Sequence, residues 1–209
     1  MGGSGTALTI MGSEPLLGRR SFRIKDYDYS SHGGYFVTLC VQNRLSLFGM
    51  IGDAGMQMNE LGTCVSDCWE WLSVRYSFIE LDVWTLMPNH LHGILILDPR
   101  RRGASRFALE EGEGGSRTAP TTIKPLGRLI GAFKTVSTKR INAIRDTPGA
   151  VLWQRNFWER VIRNMDELNR IREYISLNPR RWLLDRENPH RNAADIADDD
   201  AFLDNIDSL

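Results

Sequence analysis

Two short stretches carry residue types that can do chemistry together. His90-Leu91-His92 opens an apolar run, and two imidazoles at i and i+2 of an extended segment point to one face. A pair so placed can ligate one divalent ion, since imidazole suits zinc, manganese and other first-row ions, and magnesium less well. The chain has 4 histidines, and half of them sit here, after the turn Met87-Pro88-Asn89 that puts them at a strand start near the sheet rim. The second stretch is Arg172-Glu173-Tyr174-Ile175-Ser176-Leu177-Asn178-Pro179. Tyr174 and Asn178 stand one turn apart on one helix face. Asn178 offers a carbonyl oxygen as a third ligand, and Tyr174 offers a phenol that can attack phosphorus. A phenol, with pKa about 10, is a poor nucleophile at neutral pH until its proton is accepted or the electrophile is activated. A metal ion on a non-bridging phosphate oxygen supplies that activation. The resulting phosphotyrosine diester keeps the energy of the broken bond, so a strand end can reverse the step. Each stretch also has a plainer reading: two half-buried histidines, and a tyrosine packed beside Ile171 and Ile175.

The elements that must position these groups follow from periodicity. Tyr35–Gln42 is rich in aromatic and β-branched residues and predicts a first strand. Gly49, Gly52 and Gly55 mark Leu47–Met58 as a hairpin or irregular excursion. From Glu60 onward, Leu61, Val65, Cys68, Trp69 and Leu72 recur at helical spacing. Ile79–Met87 and Leu91–Leu97 predict an antiparallel strand pair joined by a tight link. Leu126, Leu129, Ile130, Phe133, Val136 and Ile141 mark a second helix, and Val151–Ile162 is expected to hold a strand. A third helix starts near Asp166, buries Leu168, Ile171 and Ile175, and stops at Pro179. The order strand, helix, strand, strand, helix, strand predicts an α+β fold: a ferredoxin-like antiparallel sheet with helices packed on one face.

The 209 residues suit one catalytic domain, expected over 21–190, with a flexible arm before it (1–20). Residues 98–122 hold Arg100, Arg101 and Arg102, then Glu110, Glu111 and Glu113 among Gly and Ser, which predicts a mobile charged insertion. The 26 basic and 26 acidic residues balance, but unevenly along the chain. Between Lys124 and Arg191 there are fifteen Lys or Arg against seven Asp or Glu, whereas Asp195–Leu209 holds six Asp and no basic residue. A basic body with an acidic tail (191–209) suits a polyanion partner, although charge alone reads better as a solvated helical face beside a disordered end. Cys40, Cys64 and Cys68 are expected to be reduced, which favours a cytoplasmic protein. No apolar run is long enough for a membrane span, and the Gly-rich start lacks the pattern of a signal peptide.

The ordered motifs resemble one family. Met87-Pro88-Asn89-His90-Leu91-His92-Gly93 and Tyr174-Ile175-Ser176-Leu177-Asn178-Pro179 are similar to the HUH single-tyrosine transposases (insertion-sequence 200-like), in their REP-associated branch. Tyr27-Asp28-Tyr29, Tyr35-Phe36-Val37-Thr38, Asn43-Arg44, Ala132-Phe133-Lys134-Thr135, Trp153-Gln154-Arg155-Asn156 and Leu168–Tyr174 extend the likeness from about Arg19 to Pro189. The resemblance implies a ferredoxin-like catalytic sheet with the histidines on a central strand. It implies attack by Tyr174 on single-stranded, hairpin-forming DNA to leave a 5′-phosphotyrosine link. It also implies magnesium or manganese held by His90, His92 and Asn178. Classical members carry Gln where this chain and the REP-associated branch have Asn178, and relatives often have His at the place of Arg160. The long charged insertion and the acidic tail also depart from the pattern.

For DNA contact, Lys134, Lys139, Arg140, Arg155, Arg160, Arg163, Arg170 and Arg172 are the candidate phosphate ligands. Trp153, Phe157, Trp158 and Trp182 are the candidate stacking platforms. Classical relatives are dimers and the REP-associated branch tends to monomers, so either state is open. Two other functions compete. One is a domesticated hairpin-binding protein with little or no cleavage. The other is a zinc hydrolase using His-x-His, which would need further ligands downstream, where the chain offers His190 alone.

Overall fold

The computed structural model describes residues 28, 32–98, 100 and 124–191. The elements in chain order are β1 (Gly33–Cys40), β2 (Gly49–Gly52), β3 (Gly55–Met58), α1 (Glu60–Arg75), β4 (Ile79–Leu86), β5 (His90–Leu97), α2 (Leu126–Ile144), β6 (Trp158–Ile162) and α3 (Met165–Leu177). A 3₁₀ turn, Asn178–Arg181, continues directly from α3. The expected arm (1–20) lies outside the described residues. So do the insertion (98–122) apart from Asp98 and Arg100, and the tail (191–209) apart from Arg191.

One four-stranded antiparallel sheet runs in the order β4-β5-β1-β6, the ferredoxin-like order, and β2-β3 forms a separate hairpin. Alternation along β1 divides the core. Tyr35, Val37 and Leu39 face a cluster shared with Val65, Cys68, Trp69 and Leu72 of α1 and Leu129, Ile130, Phe133 and Ile141 of α2. Phe36 faces the other way and joins Ile94, Ile171, Tyr174 and Ile175. The single-face expectation therefore describes α1 and α2. The third helix, absent from the ferredoxin-like order, covers the opposite face, because its Ile171–Ile175 stripe meets the outward residues of β1 and β5.

The helices start where their caps are. The Asn59 side chain accepts from the Gly62 amide at 2.9 Å, and the Asn164 side chain accepts from the Glu167 amide at 2.8 Å. The strand expected over Val151–Ile162 is confined to β6. Residues before it cross the end of β1 irregularly: Gln42 N–H donates to the Leu152 carbonyl and Gln154 N–H to that of Cys40. Phe48 and Trp153 fill the space there, with ring centroids 5.4 Å apart. Cys40, Cys64 and Cys68 are all free thiols, and burial pushes the Cys68 thiol up to about 11. Among the described residues no helix is long and apolar enough to cross a membrane.

Candidate metal and tyrosine site

The period of β5 sets the histidines. Leu91 and Gly93 point to α1, where Trp69 lies so close that a Cβ on Gly93 would meet its ring at 2.6 Å. His90 and His92 therefore point to α3, and their Nε2 atoms come within 3.0 Å of one another. Both are buried, at 0% and 3% exposure. The outer nitrogens are held as well: His90 Nδ1 lies 2.8 Å from Asn89 Oδ1, and His92 Nδ1 lies 2.8 Å from the Thr38 hydroxyl.

The nucleophile candidate reaches the pair from the other layer. Ion pairs tie both halves of α3 down: Glu167 holds Arg160 of β6 and accepts the Arg163 amide, and Arg172 makes a two-pronged contact with Asp82 of β4 at 3.0 and 2.6 Å. Just past the second tie, Tyr174 packs edge-on to Phe36 and sets its hydroxyl 3.5 Å from His92 Nε2. The fixed helix thus brings a phenol to the rim of the imidazole pair.

A residue that sequence reasoning missed completes the cluster. Asp185 Oδ2 lies 3.6 Å from His90 Nε2, and ligand atoms of His90, His92 and Asp185 all fall within 4.8 Å of one another. Burial holds His90 down at about 4 and His92 at about 3, so both rings are neutral at pH 7, while burial pushes the Asp185 carboxyl up. The close approach of Asp185 to His90 is therefore not an ion pair at neutral pH. Among the described residues, Asp185 Oδ2 and Asn178 Oδ1 are both buried without a hydrogen-bond partner, an arrangement that costs free energy unless a cation serves them. Ligands on one first-row ion with bonds of about 2.0–2.1 Å lie roughly 3 Å apart, the separation the two Nε2 atoms show. The donor set of two imidazoles and a carboxylate fits a divalent metal.

The expected DNA contacts divide. Lys139, Arg140, Arg155 and Arg163 are exposed and Arg170 is partly so. Lys139 and Arg155 line a groove of about 790 Å³ between α2 and residues 146–155, on the layer opposite the histidines. Four of the candidates have partners inside the molecule. Lys134 Nζ donates to the Gln154 and Asn156 carbonyls at 2.8 and 3.0 Å, and Arg172 serves Asp82. Trp153 is buried against Phe133 and donates its indole N–H to Ser137, so it offers no ring face to a base. Arg160 likewise serves Glu167. Trp158 stands beside Phe36 on the tyrosine face, and the Trp182 ring lies 6.0 Å from that of His90.

No family model matches the chain. An uncharacterised protein of Haemophilus influenzae is 35% identical over 168 residues, which span 80% of this chain and 92% of that protein. A solved structure of a REP-associated tyrosine transposase bound to a REP hairpin superposes with a TM-score of 0.50 at 19% identity, over 77% of this chain and 73% of that one. A candidate transposase of Deinococcus radiodurans, at TM-score 0.40 and 14% identity over 74% of this chain and 96% of that one, is too loosely alike to bear on the fold. The chain belongs to one family with the Haemophilus influenzae protein, and it shares its fold with the REP-associated tyrosine transposase.

Proposed function

We propose that the protein is a metal-dependent single-stranded DNA endonuclease and strand transferase that acts on hairpin-forming DNA with Tyr174 as nucleophile. The observation that carries this reading is the Tyr174 hydroxyl set 3.5 Å from one of two convergent imidazoles. His90, His92, Asn178 and Asp185 would hold magnesium or manganese. When bound, the ion draws charge from a phosphate oxygen and makes phosphorus open to attack. Tyr174 Oη then bonds to phosphorus and gives up its proton. The bond from phosphorus to the 3′ oxygen breaks, and that oxygen takes up a proton. The 5′ phosphate stays on the tyrosine, and a 3′ hydroxyl can run the step in reverse. Hairpin DNA is proposed as substrate because the fold neighbour was solved with one bound and because exposed cations flank the catalytic layer. Both imidazoles and the phenol are buried, with the Trp182 ring 6.0 Å from that of His90 and Asp185 Oδ2 3.6 Å from His90 Nε2, so a phosphodiester reaches them only after a local rearrangement.

The test incubates the protein with a labelled single-stranded hairpin oligonucleotide from the DNA flanking its own gene, with manganese or magnesium. An SDS-resistant protein–DNA band is expected. It disappears in Tyr174→Phe, with hairpin affinity kept within a few-fold, and its metal dependence disappears in His90→Ala. A band that survives Tyr174→Phe would place the nucleophile elsewhere. Binding without any band, in the wild-type protein with metal, would make the protein a hairpin binder.

A further inference from the structure

The two histidines are held by partners of different kinds. Asn89 is fully buried, and its amide nitrogen donates to the Arg44 carbonyl at 3.1 Å and to the Glu187 carbonyl at 2.8 Å. A carbonyl oxygen only accepts, so both must face the NH₂ side of the amide. Turning the amide over would press its oxygen against two oxygens. The Asn89 oxygen therefore has one place to go, 2.8 Å from His90 Nδ1, and there it accepts. A proton on Nδ1 is the donor this contact requires, and a neutral imidazole with its proton on Nδ1 has a bare lone pair at Nε2. That atom is the one turned to His92 and Asp185. His92 is held differently, because the Thr38 hydroxyl at its Nδ1 can donate or accept and sets no tautomer.

We propose that Asn89 is a positioning residue that locks His90 in the Nδ1–H tautomer, and that the main-chain carbonyls of Arg44 and Glu187 set the direction of its amide. The assignment rests on the metal reading above only for its consequence, since the tautomer exists without an ion. An outer partner of this kind raises the basicity of the ligating nitrogen and removes the cost of reorganising the ring on binding. Glu187 lies 98 residues from Asn89, so the chain beyond α3 takes part in fixing a ligand on β5.

The experiment uses full-length, metal-free protein with ¹⁵N-labelled histidine, read by long-range proton–nitrogen correlation. The other histidines outside the pair, His32 and His190, are exposed and separate readily. His90 is expected in the Nδ1–H form across neutral pH, and finding it as Nε2–H overturns the proposal without any variant. In Asn89→Leu the preference is expected to collapse to a mixture, and Mn²⁺ affinity, followed by the free-ion EPR signal, to fall about 10- to 100-fold. Unchanged tautomer and affinity in a folded Asn89→Leu would also overturn it. If wild-type His90 is Nδ1–H but the protein takes up no Mn²⁺, the Asn89 assignment stands and the proposed function fails.

Discussion

The packing around Gly93 shows how narrowly the site is built. Trp69 fills the space where a side chain on Gly93 would go: a Cβ there would meet Trp69 Cζ2 at 2.6 Å and Trp84 Cβ at 3.2 Å. Trp69 is fully buried and has no room to retreat. Gly93→Ala is expected to destabilise the protein by about 1–3 kcal/mol in urea unfolding, as overpacked cores do. Because Gly93 follows His92 directly, Mn²⁺ affinity should fall with it, and unaltered stability would show that the layer is looser than this packing implies. Lys134 makes a different point. Burial holds its ammonium down at about 8, against 10.5 for a free lysine. Its folded value lies below its unfolded value, so the unfolded chain keeps the proton to higher pH, and stability rises between those two values. Wild-type protein is expected to gain stability relative to Lys134→Met as pH climbs from 8 to 10. A difference that stays flat across that window would contradict the shift.

At the scale of elements, α3 is the part on which placement of the phenol depends. Glu167 is nearly buried, caps the Arg163 amide and pairs with Arg160. Glu167→Ala is expected to cost about 1.5–3 kcal/mol, the range for hydrogen bonds to charged groups, and to lower adduct yield more than hairpin affinity. Equal losses in both would mean that the tie serves DNA contact rather than the tyrosine. Most of this element was legible in the sequence, since the spacing of Leu168, Ile171 and Ile175 marks its buried stripe and Pro179 its end. The same local logic puts His90 and His92 on one strand face. Asp185 was not legible. It lies in an irregular stretch with no period to read, and it meets His90 only because α3 and the turn after it fold back over β5. The internal roles of Lys134, Arg160 and Arg172 were hidden for a related reason: spacing shows a cation, and only the fold shows which carboxylate or carbonyl has claimed it.

Across the whole molecule, one basic groove lies on the layer away from the imidazoles. The groove holding Lys139 and Arg155 is on the α2 side, while the imidazoles face α3. Both meet at one end of the sheet, where Cys40 pairs with His90 and Val41 bridges to Trp153. A hairpin whose stem lay along the groove would pass that end to bring a single strand to Tyr174. Lys139→Gln with Arg155→Gln is expected to weaken hairpin binding and to reduce the salt slope of log K by roughly 1.4–1.8, about 0.7–0.9 for each phosphate left without its cation. An unchanged slope would place the stem on another surface.

On the proposed function, the ties on α3 would acquire another meaning with a strand end bonded to Tyr174. The helix then becomes the mooring through which any tension on the DNA enters the protein. The Arg160–Glu167 pair lies toward one end of it and the Arg172–Asp82 fork beside the tyrosine, each fastened to a different edge strand, β6 and β4. A tug on the strand is thus shared between the two margins of the sheet instead of falling on the imidazoles at its centre.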